Sequence, residues 1–287
     1  MHSMIRILSL ITFSIVLTGC RKTESVPAYL EVDAVSVSAT DEQGGNSSRV
    51  TDVWVTVNER TVGVWQLPAR IPVLAEGVRS IGITAGIQRN GSFDDRLRYP
   101  YYTSWSGSAD LEPGVTTRVS PVVQYQPSTI WFERFNDAGS QLVAVPESDT
   151  TLLLISPVDR PEAVFDGTQC GGFVLDALND RLALQTEQNF AGATGPVYLE
   201  MDYSTDIDLT IGFTYESEGI TEYEPWLVLV PTASIGAVSW NKVYVELSSL
   251  FNLPGITGRD IYIGAQLSGG RTSAVGYFDN LKIVRPA

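Results

Sequence analysis

Two stretches decide how this chain is read: Ser239-Trp240-Asn241-Lys242-Val243-Tyr244-Val245-Glu246-Leu247-Ser248 and Tyr277-Phe278-Asp279-Asn280-Leu281-Lys282-Ile283. Each alternates with period 2, the spacing of a strand with one face turned inward. No segment after residue 20 sustains a 3.6-residue period, so the chain reads as all-β. Working outward, β-rich runs recur at Ile130 to Asn136, Thr151 to Ile155, Phe173 to Ala177, Arg181 to Gln185, Val197 to Tyr203, Asp208 to Tyr215, Glu224 to Val230 and Asp260 to Gln266. With Trp240 to Leu247 and Ala274 to Val284 they make about ten strands in about 160 residues, which suits a jelly-roll β-sandwich of two facing sheets.

The Trp followed by alternating residues and a Leu-Ser ending, and the closing aromatic-Asp-Asn-aliphatic-x-aliphatic strand, resemble jelly-roll carbohydrate-binding modules. Phe132-Glu133-Arg134-Phe135 matches the aromatic-Glu-x-Phe of their first strand. The resemblance covers roughly residues 130–287 and implies the fold more than the ligand. It also implies a structural Ca2+ joining Glu133, near the first strand, to Asp279 in the last. Ca2+ takes six to eight oxygens, so backbone carbonyls would have to complete such a site. The other reading of Asp279-Asn280 is a turn that hydrogen-bonds its own backbone.

Upstream, Gln124-Tyr125-Gln126-Pro127-Ser128 marks a boundary, giving modules 28–126 and 127–287. In the first module Tyr29 to Val37 alternates, Thr40 to Ser48 is a polar loop, and Val53 to Val57 turns at Asn58-Glu59-Arg60 into Thr61 to Leu67. Arg70 to Leu74, Val78 to Ala85 and Val115 to Tyr125 follow. About seven short strands in about 95 residues suit an immunoglobulin-like or transthyretin-like sandwich. One stretch, Arg89 to Leu111, is long, polar and aromatic. Tyr99, Tyr101, Tyr102 and Trp105 make it either an aromatic binding loop or a strand pair with its rings packed inward.

Residues 1–19 have a basic start at Arg6 and an apolar run from Ile7 to Leu17, too short to span a membrane. Leu17-Thr18-Gly19-Cys20 resembles the lipobox of bacterial lipoproteins. That resemblance implies cleavage before Cys20, acylation (palmitate among the chains) of Cys20, and a lipid-anchored place in the outer membrane, with residues 20–27 as anchor and linker. The first module resembles lipoprotein-anchored sandwich domains of Bacteroidetes.

The 287 residues carry 33 acids against 19 Lys and Arg, a net charge of −14. Such acidity argues against a nucleic-acid partner. Losing residues 1–19 removes Arg6 and the single histidine, His2, leaving −15. Without histidine, Ser-His-Asp, Cys-His and His-zinc chemistry fall away. Cys170, beside two glycines and with no His to activate it, reads as a small core residue.

The candidate sugar-stacking rings are Tyr203, Tyr215, Tyr223 and Trp226, while Trp240 is assigned to the core. Two acidic groups, Asp202, Asp206 and Asp208, then Glu216, Glu218, Glu222 and Glu224, read as a solvated rim with no apolar pocket to raise a pKa. The reading is a non-catalytic glycan-binding lipoprotein. The alternatives are an interaction or scaffold subunit of an outer-membrane protein complex and, more distantly, a glycan-cleaving enzyme, which needs only two carboxylates.

Overall fold

A computed structural model describes residues 25–287. The leader and Cys20 lie outside the described residues. The first module runs through β1 (Ala28–Val32), β2 (Ser36–Ser38), β3 (Asp52–Val57), β4 (Arg60–Gln66), β5 (Ala69–Val73), β6 (Gly77–Gln88), β7 (Arg96–Arg98), β8 (Trp105–Leu111), β9 (Thr116–Arg118) and β10 (Val122–Gln124). One sheet is ordered β4-β3-β6, with β7 and β8 sharing the far edge of β6. Facing it are β5-β1-β9 and the pair β2-β10. The expected strand from Tyr29 to Val37 breaks at residues 33–35. It changes partner there, pairing parallel with β9 before the break and with β10 after it. Asn58 and Glu59 both have positive φ (47° and 64°), which suits the two-residue turn joining β3 to β4. Alternation then buries Val53, Val55 and Val57 against Leu30, Ile71 and Ile83.

The second module contains β11 (Thr129–Glu133), β12 (Leu142–Ala144), β13 (Leu153–Ile155), β14 (Cys170–Asp176), β15 (Arg181–Thr186), β16 (Tyr198–Thr205), β17 (Leu209–Ser217) and β18 (Ile220–Leu229). It continues through β19 (Asn241–Glu246), the short helix α1 (Ser248–Phe251), β20 (Thr257–Gln266) and β21 (Ser273–Arg285). One sheet is ordered β13-β14-β21-β16-β19, with β11 also on β21; the other is β12-β15-β20-β17-β18. Leu199, Met201 and Tyr203 of β16 point inward with Val243, Val245, Leu281 and Ile283. They meet Leu182, Leu184, Ile211, Phe213, Ile261 and Ile263 from the other sheet. This is the two-sheet jelly-roll core that the alternation implies.

The opposite face of the first of these sheets is covered by the first module. Tyr198, Tyr244 and Val284 join that module's core. The stretch from Arg89 to Leu111 supplies the cover: it forms β7 and β8 joined by a turn at Pro100-Tyr101. Tyr99, Tyr101 and Tyr102 are buried; the Tyr99 ring lies 5.8 Å from that of Tyr101 and 4.6 Å from that of Tyr102, and it also meets Tyr198 and Tyr244. An aromatic binding loop at these three tyrosines is thereby corrected, because their rings are sealed in the junction. Trp105 is half-buried and lies over Gly107.

Charge is buried in the same junction. Glu200 accepts hydrogen bonds from the hydroxyls of Tyr99 and Tyr125 at 2.7 and 2.9 Å. Lys282 donates to the Gly45 carbonyl at 2.6 Å. Asp202 and Asp206, expected on a solvated rim, are both buried. Asp206 pairs with Arg271 at 3.0 Å and accepts the N–H groups of Gly236 and Val275.

Candidate functional site

The outer face of the β12-β15-β20-β17-β18 sheet carries a groove of about 540 Å³ lined by Arg181, Gln185, Thr214, Glu222, Tyr223 and Tyr262, among others. A second hollow of about 290 Å³ shares Arg181, Tyr223 and Tyr262 and extends over Thr210, Gly264 and Gln266. Strand parity explains the set. Ile261, Ile263 and Ala265 face the core, so Tyr262 and Gly264 face out; Leu182 and Leu184 face in, so Arg181 and Gln185 face out.

Two glycines shape this surface. A Cβ on Gly264 would sit 2.6 Å from the Tyr262 ring, and one on Gly212 would sit 3.2 Å from the Tyr223 ring. Without those methyl groups, the Tyr262 ring packs over Gly264, where it is 7% exposed, and the Tyr223 ring over Gly212. Their centroids are 4.4 Å apart at an interplanar angle of 57°. Tyr223 remains 44% exposed, so a ring face is open to a ligand. Burial, with Tyr262 nearby, pushes the Tyr223 phenol up to about 12, so it is a neutral hydrogen-bonding group at physiological pH. Around the rings stand a guanidinium, a primary amide, a hydroxyl and two carboxylates, from Arg181, Gln185, Thr214, Glu147 and Glu222. Chemically the groove offers apolar ring surface bordered by groups that pair with hydroxyls.

Of the four rings expected here, Tyr223 alone lines the groove. Tyr203 is 3% exposed inside the sandwich, because its parity on β16 matches Leu199 and Met201. Tyr215 stacks on Phe213, at 5.2 Å and 28°, and packs against the core. Trp226 on the edge strand β18 donates its indole N–H to the Glu246 carbonyl at 2.8 Å, which turns it toward the other sheet. Tyr262 was not singled out, although Ile-Tyr-Ile at 261–263 carries the parity that turns it to the outer face of the sheet. Trp240, expected in the core, is half-buried, packed against the small cluster of Ala163, Cys170 and Tyr277 and 5.2 Å from Phe165.

Glu133 and Asp279 are both buried. The Glu133 oxygens accept the N–H groups of Phe135 and Gln141, each at 2.6 Å. The Asp279 oxygens accept those of Asn280 and Asp166 at 2.7 and 3.1 Å. Among the described residues no group of three or more His, Cys, Asp or Glu side chains could hold a metal ion. Burial pushes the Asp279 carboxyl up to about 7. Cys170 is fully buried, its thiol pushed up to about 12 by burial, consistent with a packing role.

No protein-family model and no curated protein matches the chain. Among solved structures it is similar to TmCBM61 in complex with β-1,4-galactotriose (14% identity, 50% of this chain and 86% of that one, TM-score 0.30). It is also similar to CBM28, a carbohydrate-binding module specific for non-crystalline cellulose (11% identity, 53% and 91%, TM-score 0.39). A third is the CBM22-1–GH10 part of Clostridium thermocellum xylanase 10B complexed with xylohexaose (11% identity, 55% and 28%, TM-score 0.40).

Proposed function

We propose that this chain is a non-catalytic glycan-binding protein that holds a polysaccharide in the Tyr223–Tyr262 groove, anchored in the outer membrane through lipid on Cys20. The observation that carries the binding reading is the Tyr223 ring, 44% exposed and backed by the Tyr262 ring, packed over Gly212 and Gly264 on the outer sheet face. The exposed Tyr223 ring receives the C–H face of a sugar, while Arg181 and Gln185 beside it pair with its hydroxyls. Glu147 and Glu222 are exposed at the groove, without the apolar enclosure that keeps a catalytic acid protonated.

Affinity electrophoresis in gels containing a panel of plant and microbial polysaccharides tests the reading. Retardation by at least one, lost in Tyr262→Ala, supports it; migration unchanged by every polysaccharide overturns it. The anchor rests on Leu17-Thr18-Gly19-Cys20. Incorporation of labelled palmitate that Cys20→Ser abolishes supports it, and labelling that survives the substitution overturns it. Structural Ca2+ at Glu133 and Asp279 is a separate proposal from the strand resemblance, with all four carboxylate oxygens already accepting N–H groups. A melting temperature that rises with CaCl2 and returns with EDTA supports it; an unchanged one overturns it.

A further inference from the structure

The end of the first module that lies away from the jelly roll gathers its chain connections. β6 starts there at Gly77 and runs toward Arg89 and Asn90, which meet Tyr244 of the second module. Antiparallel pairing of β3 with β6 brings the Asn58-Glu59 turn to the same end, where the Asn58 N–H donates to the Ser80 carbonyl at 2.8 Å. The β5–β6 link at residues 74–76 and the β8–β9 link at residues 112–115 lie there too. The chain enters β1 between them: Ala28 pairs with Val73, and the Gly114 N–H donates to the Pro27 carbonyl at 2.9 Å. Aliphatic side chains stand bare on or beside these links: Leu74 is 75% exposed, Val78 70%, Val26 60% and Val115 46%. A single exposed aliphatic is ordinary, but several around one chain entry make a face.

At the same end lies a hollow of about 750 Å³, walled by Val57, Val62, Pro72 and Leu74 and bordered by Arg60 and Arg79. Among the described residues no carboxylate lines it, although the chain has 33 acids against 19 Lys and Arg. Neither guanidinium forms an ion pair among the described residues. Glu59, Glu76 and Glu112 stand in the adjoining turns. Guanidiniums at the hollow with carboxylates around it match a zwitterionic headgroup: its phosphate takes charge-assisted hydrogen bonds from arginine, and its ammonium meets the acids. Cys20 stands eight residues before Ala28, a reach of at most about 29 Å along an extended chain. We propose that this end of the first module sits on a phospholipid surface, with Leu74, Val78, Val26 and Val115 in the headgroup layer and Arg60 and Arg79 on lipid phosphate. The proposal rests on the reading of Cys20 as lipidated and adds which end of the protein faces the bilayer.

The test is spin labelling of the full chain, purified from a Gram-negative host and mixed with vesicles of phosphatidylethanolamine and phosphatidylcholine. Leu74→Cys takes the label, since Cys170 is fully buried and Cys20 carries lipid on this reading. Leu178→Cys, 90% exposed on the β14–β15 turn of the second module, is the comparison. Power saturation sets collisions with oxygen, which concentrates in the bilayer, against collisions with a water-soluble nickel chelate. The oxygen-to-nickel ratio at Leu74→Cys exceeds that at Leu178→Cys severalfold. Adding Arg60→Glu, at an exposed turn position, lowers the Leu74→Cys ratio toward the aqueous value while the chain stays with the vesicles. Three outcomes overturn the proposal: Leu74→Cys reads as aqueous as Leu178→Cys, Arg60→Glu leaves its ratio unchanged, or the chain fails to float with the vesicles. The first two leave the lipid on Cys20 standing, and the third removes both.

Discussion

The phenolic hydroxyl of Tyr99 donates to Oε1 of Glu200 at 2.7 Å across the junction of the two modules, and solvent reaches neither side chain. Tyr125 donates to the same carboxylate, and Lys242 stands 3.5 Å from its other oxygen. Removing one partner from such a centre leaves buried groups uncompensated. Tyr99→Phe is expected to cost about 1–3 kcal/mol. Glu200→Ala, which strands a buried ammonium, is expected to cost about 3–5 kcal/mol. Because the centre belongs to both modules, calorimetry of the wild-type chain shows one unfolding transition. Two well-separated transitions would refute this coupling.

Tyr262→Ala and Tyr223→Ala each weaken binding of any polysaccharide retained by the wild type by about tenfold or more, near 1.4 kcal/mol. Gly264→Val has a similar effect while leaving both rings present, because its side chain would enter the space the Tyr262 ring occupies. Titration calorimetry reads both. Tyr203→Ala separates core from site: it lowers thermal stability by about 3–5 kcal/mol, as for other buried aromatic truncations. Unchanged affinity in Tyr262→Ala would remove the ring platform from the account.

The Lys282 ammonium is held down to about 8 by burial, against the attraction of Glu200 and Asp202 and with the repulsion of Lys242 and Arg134. Between about pH 8 and the ordinary lysine range, the unfolded chain keeps a proton that the folded chain has released, so stability rises with pH there. Cys170, pushed up to about 12, and the buried Tyr99, Tyr102 and Tyr125 act in the opposite sense at more alkaline pH. The clean measurement is therefore the difference between wild type and Lys282→Met from about pH 7 to about pH 9. The wild type gains stability relative to the variant across that window. A constant difference would show that Lys282 does not titrate there.

Gly45 passes so close to the junction that a Cβ would lie 2.6 Å from Oδ1 of the fully buried Asn280 and 3.2 Å from Oδ2 of Asp166. Gly45→Ala is expected to lower stability by about 1–3 kcal/mol through overpacking. Gly139→Ala, where a Cβ meets nothing within 4 Å, is the matched control and leaves the melting temperature near wild type. Equal melting temperatures for the two variants would show that the loop is not pressed against Asn280.

Period-2 alternation made most strands legible, and it also told which residues of each strand share a face. Leu142 to Ala144 escaped because three residues are too few to show a period. Tyr262 was within reach, since Ile261 and Ile263 place it outward. What lies beyond the inner faces is not written locally. Glu200, Lys242 and Lys282 sit at positions that alternation assigns away from the sandwich core, where charged residues ordinarily meet water. They are buried because another part of the chain docks on that face, and no spacing within β16, β19 or β21 announces it. The same docking took Tyr99, Tyr101 and Tyr102 out of contention for ligand.

The short step from β10 to β11 has a mechanical consequence. Only residues 125–128 connect the modules, and Tyr125 is itself locked to Glu200 and bridged to Tyr102. A pull on a chain held in the tyrosine groove would reach the first module through buried aromatic and ionic contacts instead of stretching a slack tether. Within the first module β6 alone runs twelve residues, about 40 Å at the rise of an extended strand. On the proposed binding reading, a glycan in the groove is held at a fixed bearing from the start of β1.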